Sequence, residues 1–102
     1  MKNAQDLTQL IDLVHEAIYE VDELRACLEY DNDEVASYMP FLDELDTLLR
    51  KLHESMISGA YPGAGQGVDL PYMGLFKKYE RNMPFRELLR AINATHREGY
   101  EA

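Results

Sequence analysis

Cysteine is almost missing: Cys27 is the only one in 102 residues, which excludes an internal disulfide framework and a thiolate zinc cluster within one chain. Its neighbours are mostly acidic and do not activate a thiolate, so the expectation is a small half-buried side chain on a helix. Long apolar runs are missing too. No stretch approaches the roughly 20 residues needed to span a bilayer, and Met1-Lys2-Asn3-Ala4-Gln5-Asp6 has no hydrophobic signal core. The expectation is a cytoplasmic, full-length chain without a membrane partner. Basic residues are scarce in one half. Residues 1–58 hold 14 Asp and Glu against 4 Lys and Arg, whereas residues 59–102 hold 5 acids against 6 bases. The field of the first half repels phosphate backbones, so no nucleic-acid partner is expected, and basic proteins or cations are favoured instead.

What is present is one domain of ordinary globular composition, 46% hydrophobic and 28% charged, at a length where a single core becomes self-sufficient. Leu7, Leu10, Val14, Ala17, Val21, Leu24 and Leu28 alternate in steps of three and four, an a/d pattern that Ile11 and Ile18 widen. A helix is predicted over residues 4–30. Asp6 and Gln9 have the spacing of a capping box, with Asn3 as an earlier candidate cap. Asp31-Asn32-Asp33 then marks a turn. After it, Val35, Tyr38, Leu42, Leu45, Leu49, Leu52 and Met56 resume the alternation, with Phe41 and Leu48 beside them, which predicts a second helix over 33–58. Pro40 either kinks that helix or opens its main part. So short a connection makes the helices antiparallel neighbours. Two helices cannot cover stripes this broad, so the C-terminal region or a second copy of the chain must pack on them.

Composition changes at Gly59-Ala60-Tyr61-Pro62-Gly63-Ala64-Gly65-Gln66-Gly67, which ends the second helix in an irregular loop. Asp69-Leu70-Pro71 and Asn82-Met83-Pro84 each read as a fresh helix start. Phe85, Leu88, Leu89 and Ile92 fall at i, i+3, i+4 and i+7, predicting a helix over 84–98 stopped by Gly99. The expected fold is all-α. An antiparallel hairpin over 4–58, a Gly/Pro-rich loop over 59–70 and one or two shorter helices within 71–99 complete, or dimerise into, a four-helix-type bundle.

Four patterns could carry chemistry. Gly63, Gly65 and Gly67 form G-x-G-x-G, but no strand precedes it and the spacing is neither a dinucleotide fingerprint nor a P-loop. A flexible connection is expected, with a lid or partner-binding loop as the functional reading. Asp12, His15 and Glu16, and His53 with Glu54, have metal-ligand chemistry, yet the heptad register turns all of them away from the apolar seam. His96 is expected to interact as a cation with the C-terminal dipole of its helix. Lys77, Lys78, Arg81, Arg86, Arg90 and Arg97, interleaved with aromatic residues, suit a protein interface and ion pairing with the acidic hairpin, within the chain or across a dimer.

Glu20-Val21-Asp22-Glu23 and Asp43-Glu44-Leu45-Asp46 place carboxylates at i, i+3 on two antiparallel helices, a way to gather oxygen ligands for Mg²⁺. Over residues 16–52 the chain resembles the MazG-like all-α nucleoside triphosphate pyrophosphatases, whose first helices carry E-x-x-E and then E-x-x-D. The resemblance implies Glu20, Glu23, Glu44 and Asp46 as Mg²⁺ ligands. The register departs from that family: matching Glu44-Leu45 by hydrophobic phase puts Thr47 at the metal-binding Asp, and matching Asp43 and Asp46 shifts the phase by one. The leading expectation is therefore a non-catalytic, homodimeric interaction module without a cofactor. Its interface is expected at Tyr61, Val68, Tyr72, Phe76, Tyr79, Arg86 and Arg90, and the Mg²⁺-dependent hydrolase is the alternative.

Overall fold

The computed structural model describes residues 2–30 and 41–101, the side chains of residues 27–30 and of Asn82 excepted. Every element among them is helical: α1 (Leu7–Tyr30), α2 (Leu42–Ser58), α3 (Met73–Tyr79), a 3-10 turn (Glu80–Asn82) and α4 (Arg86–Glu98). The turn expected at Asp31-Asn32-Asp33, the seam positions Val35 and Tyr38, and Pro40 lie outside the described residues, as does the Cys27 side chain.

α1 starts later than expected, at Leu7, because Asp6 is the residue that caps it. Its Oδ1 accepts the Gln9 amide at 2.8 Å while Gln9 Oε1 accepts the Gln5 amide at 2.5 Å, a reciprocal closure of the first turn. Asn3 is no cap; its side-chain amide donates to Gly99 O and Glu98 Oε1 at the far end of the chain. α2 stops at Gly59, whose φ of +84° is the left-handed conformation that ends a helix at little cost only in glycine.

Leu10, Val14, Ala17 and Val21 of α1 and Leu45 and Leu49 of α2 are fully buried, so the a/d positions meet in one seam. Arg25 pairs with Asp43, Asp22 with Arg50, and the His15 and His53 rings lie 5.8 Å apart, so residue numbers rise along one helix as they fall along the other. α4 packs on α1 as well. The cover expected from either the C-terminal region or a second copy thus comes from the C-terminal region. Leu88, Leu89 and Ile92 supply it, and Tyr72, Phe76 and Met83 close the core behind them.

The glycine loop departs furthest from expectation. Instead of swinging free, it lies against the end of α4, where Gln66 N–H donates to His96 O (2.8 Å) and Gly67 N–H to Arg97 O (3.1 Å). The last turn of a helix leaves its carbonyls unbonded, and these amides satisfy two of them while Gly99 N–H satisfies Thr95 O. Gly65 and Gly67 adopt φ of +81° and +74° to present those amides, a conformation that L-residues with a Cβ resist. Amides so engaged are not free to cradle a phosphate. The chain ends join at the same place: Ala4 N–H donates to Thr95 Oγ1, and Glu101 N–H donates to Ala4 O.

Candidate functional site

The acidic residues of α1 and α2 fall outside the seam because the seam is apolar at every described a/d position. Asp12, Glu16, Asp22, Glu23, Asp43, Glu44 and Glu54 are exposed, and Glu20 and Asp46 are half-buried. Two arginines tie part of this face together. Arg50 Nε binds Asp46 at 2.9 Å and its terminal nitrogen reaches Asp22 at 3.0 Å, while Arg25 bridges Asp43 at 3.0 Å and Asp46 at 3.7 Å. Asp46, one of the four ligands the pyrophosphatase resemblance implies, is held between two guanidinium groups. Glu20, Glu23, Glu44 and Asp46 are not brought together: no group of three or more His, Cys, Asp and Glu able to hold a metal ion forms among the described residues.

The outward histidines do meet. His15 and His53 lie across the α1–α2 groove, beside Ile18, Tyr19, Asp22 and Arg50, in an open depression of about 370 Å³. Tyr19 is 57% exposed there, and the negative charge of the nearby Glu23 carboxylate pushes its phenol above the ordinary range.

Three of the C-terminal cations, Lys77, Arg90 and Arg97, find partners locally. Arg97 Nη1 and Lys77 Nζ reach Asp69 at 3.3 and 3.5 Å, and Arg90 binds Glu87 and Glu80 while its guanidinium stacks 5.7 Å from the Phe76 ring centroid. The acids that pair with these three bases belong to the C-terminal half, whereas pairing with the acids of the first half was expected. Asp69 also accepts a hydrogen bond from Asn93, which together with Arg97 and Lys77 lowers its pKa.

The expected interface set divides. Tyr72 and Phe76 lie in the core, 1% and 3% exposed, because their helical phase turns them toward α4. The Tyr72 hydroxyl donates to Leu89 O, and burial raises its pKa far above the phenol range. Tyr79 is half-buried, its ring 5.3 Å from that of Phe41. Val68, Arg86 and Arg90 remain on the surface, and Tyr61 is half-buried.

Tyr61 leads to groups that the sequence reading missed. Its hydroxyl lies 2.7 Å from Nδ1 of His96, which is 7% exposed and whose pKa burial pushes below 6.5. Burial also pushes the Tyr61 phenol up to about 12. A neutral phenol is a better donor than an imidazole N–H, and an imidazole nitrogen a better acceptor than a phenol oxygen, so Tyr61 donates and the His96 proton resides on Nε2. His96 is thus a buried neutral ring rather than a cation on the helix dipole. The signal was present in the α4 pattern: the steps Leu88, Leu89, Ile92 continue to Thr95 and His96, and both are buried. Asn93 is a residue the sequence reading left out. It is 6% exposed, and its Oδ1 accepts the Leu70 amide at 2.8 Å.

No helix among the described residues is long and apolar enough to cross a membrane. Comparison of the chain with protein-family models, with curated proteins and with solved structures finds no match.

Proposed function

We propose that this protein is a non-catalytic helical interaction module whose α1–α2 hairpin docks a basic segment of a partner protein. One observation carries the reading: Lys77, Arg90 and Arg97 pair with Asp69, Glu80 and Glu87, and the carboxylates of α1 and α2 are answered only by Arg25 and Arg50 among the described residues. Such a face speeds encounter with a cationic partner and selects it by charge. The open groove at His15, Tyr19 and His53 gives that face an aromatic centre, the residue type that dominates interface energetics.

The test is fluorescence anisotropy with a labelled Lys/Arg-rich peptide at low and physiological salt. Binding that weakens with salt, and that is lost in the triple variant Glu16→Lys, Glu23→Lys, Glu44→Lys but kept in Glu98→Lys, is the expected result. Equal binding by both variants would overturn the reading.

Self-association is the second reading, favoured by the exposure of Tyr19, Ile57 and Val68 at 57%, 64% and 60%. Because α4 covers the α1 stripe, a homodimer joins through such outer residues or through paired hairpins laid side by side. Sedimentation equilibrium at micromolar concentration decides it, a monomer counting against. The Mg²⁺-dependent pyrophosphatase reading predicts pyrophosphate release that is lost in Glu23→Ala, and a nucleotide panel showing no release removes it.

A further inference from the structure

A second concavity, of about 300 Å³, opens between α2, the glycine loop and the end of α4. Leu48 and Leu52 of α2 and Pro62, Leu70 and Pro71 of the loop give it apolar walls. Lys51 stands on the same groove, exposed, and takes part in no ion pair among the described residues. The other base of α2, Arg50, is bound by Asp46 and Asp22. Polar chemistry is placed deeper, at His96, which also lines the groove. Its Nδ1 is taken by Tyr61, and Nε2 has no protein partner among the described residues. No fully buried side-chain nitrogen or oxygen among the described residues lacks a partner, so the unpartnered Nε2 is not sealed in the core. The groove therefore combines apolar walls, one N–H donor held in position by a phenol, and one ammonium group, in a chain of net charge −9. Small-ligand sites have this composition, and their volumes begin at about 300 Å³.

We infer that this groove binds a small carboxylate with an apolar body, its chain lying on Leu48, Leu52 and Pro71 and its carboxylate accepting from His96 Nε2–H and facing Lys51. The apolar walls supply affinity, and the two polar groups select an anion over a neutral or cationic molecule of the same shape. The site shares no residue with the acidic face described above, so either assignment stands without the other.

Octanoate is the probe, titrated into the full chain labelled with ¹⁵N and followed by amide shifts, with octan-1-ol and octylammonium as size-matched controls. The expected result is a dissociation constant of about 1 mM, as suits so small a ligand. Shifts should concentrate at Leu48, Leu52, Leu70 and His96. Lys51→Gln, a surface change that leaves the core intact, weakens octanoate about fivefold and leaves octan-1-ol unchanged. Absence of shifts at those residues overturns the inference, and so does binding of either control as tightly as octanoate.

Discussion

Asn93 and His96 show how single polar residues fix the C-terminal third of the molecule. Asn93 answers both a loop amide and a loop carboxylate, at Leu70 and Asp69. In Asn93→Leu the Leu70 amide is buried without a partner, and urea unfolding should show a loss of about 1–3 kcal/mol. His96 carries a pH dependence whose sign follows from burial. Its folded pKa lies below 6.5 while the unfolded chain titrates near that value, so the unfolded state binds more protons as the pH falls. The neutral ring's contribution is complete above pH 6.5 and is lost as the pH drops toward the folded pKa. Tyr61 and Asp69 are the titratable groups acting on it; the Asp69 carboxylate limits the shift without reversing it. Urea midpoints measured from pH 7.5 to 5 should therefore decline, and the decline should shrink in His96→Gln against the same His15 and His53 background. The burial of His96 could be read from the α4 steps, but the partners of both residues could not, because they lie more than twenty residues away in sequence and only the folded chain brings them within bonding distance.

The helices themselves were far more legible, since each is written in local periodicity. The a/d stripes of α1 and α2 produced the buried seam, and the Leu88-Leu89-Ile92 spacing produced the buried face of α4. Ile92, with no exposed surface, touches that core from α4; Ile92→Ala should cost about 2–5 kcal/mol in chemical denaturation, because a cavity adds to the lost transfer energy. Helix ends were legible where a side chain or a glycine makes them. Gly59 meets nothing within 4 Å of an added Cβ, so Gly59→Ala tests backbone conformation alone. It should lower stability by about 1 kcal/mol, and a value near zero would show that φ at this position relaxes. The glycine loop was misread as a free connection because its regularity is not internal. Its amides follow the carbonyls of α4, which no pattern within residues 59–70 encodes.

Over the whole molecule, extents of 44 × 25 × 20 Å describe a short rod whose length is set chiefly by the 24 residues of α1. Its charge is unevenly placed along the chain, with most of the acids in residues 1–58. Exposed ion pairs such as Arg25 with Asp43 contribute about 0–1 kcal/mol each, and salt weakens them. The repulsion within a chain of net charge −9 is screened by the same salt and involves many more pairs. Repulsion is the larger effect, so the thermal midpoint should rise between 10 mM and 300 mM NaCl on scanning calorimetry, with salt concentrations about as far apart as the Debye length needs to shrink severalfold. A falling midpoint would assign the ion pairs more weight than their exposure allows. The all-helical class, the apolar seam, the outward register of the carboxylates and the acidic field were fixed by sequence, since periodicity and composition act over a few residues or over the whole chain. The tertiary structure alone decided that α4 packs on α1, that Lys77, Arg90 and Arg97 are paired within the C-terminal half, and that Tyr61, His96 and Lys51 share one groove. Those outcomes depend on contacts between distant residues, whose energies are settled only when burial and hydrogen bonding are satisfied together.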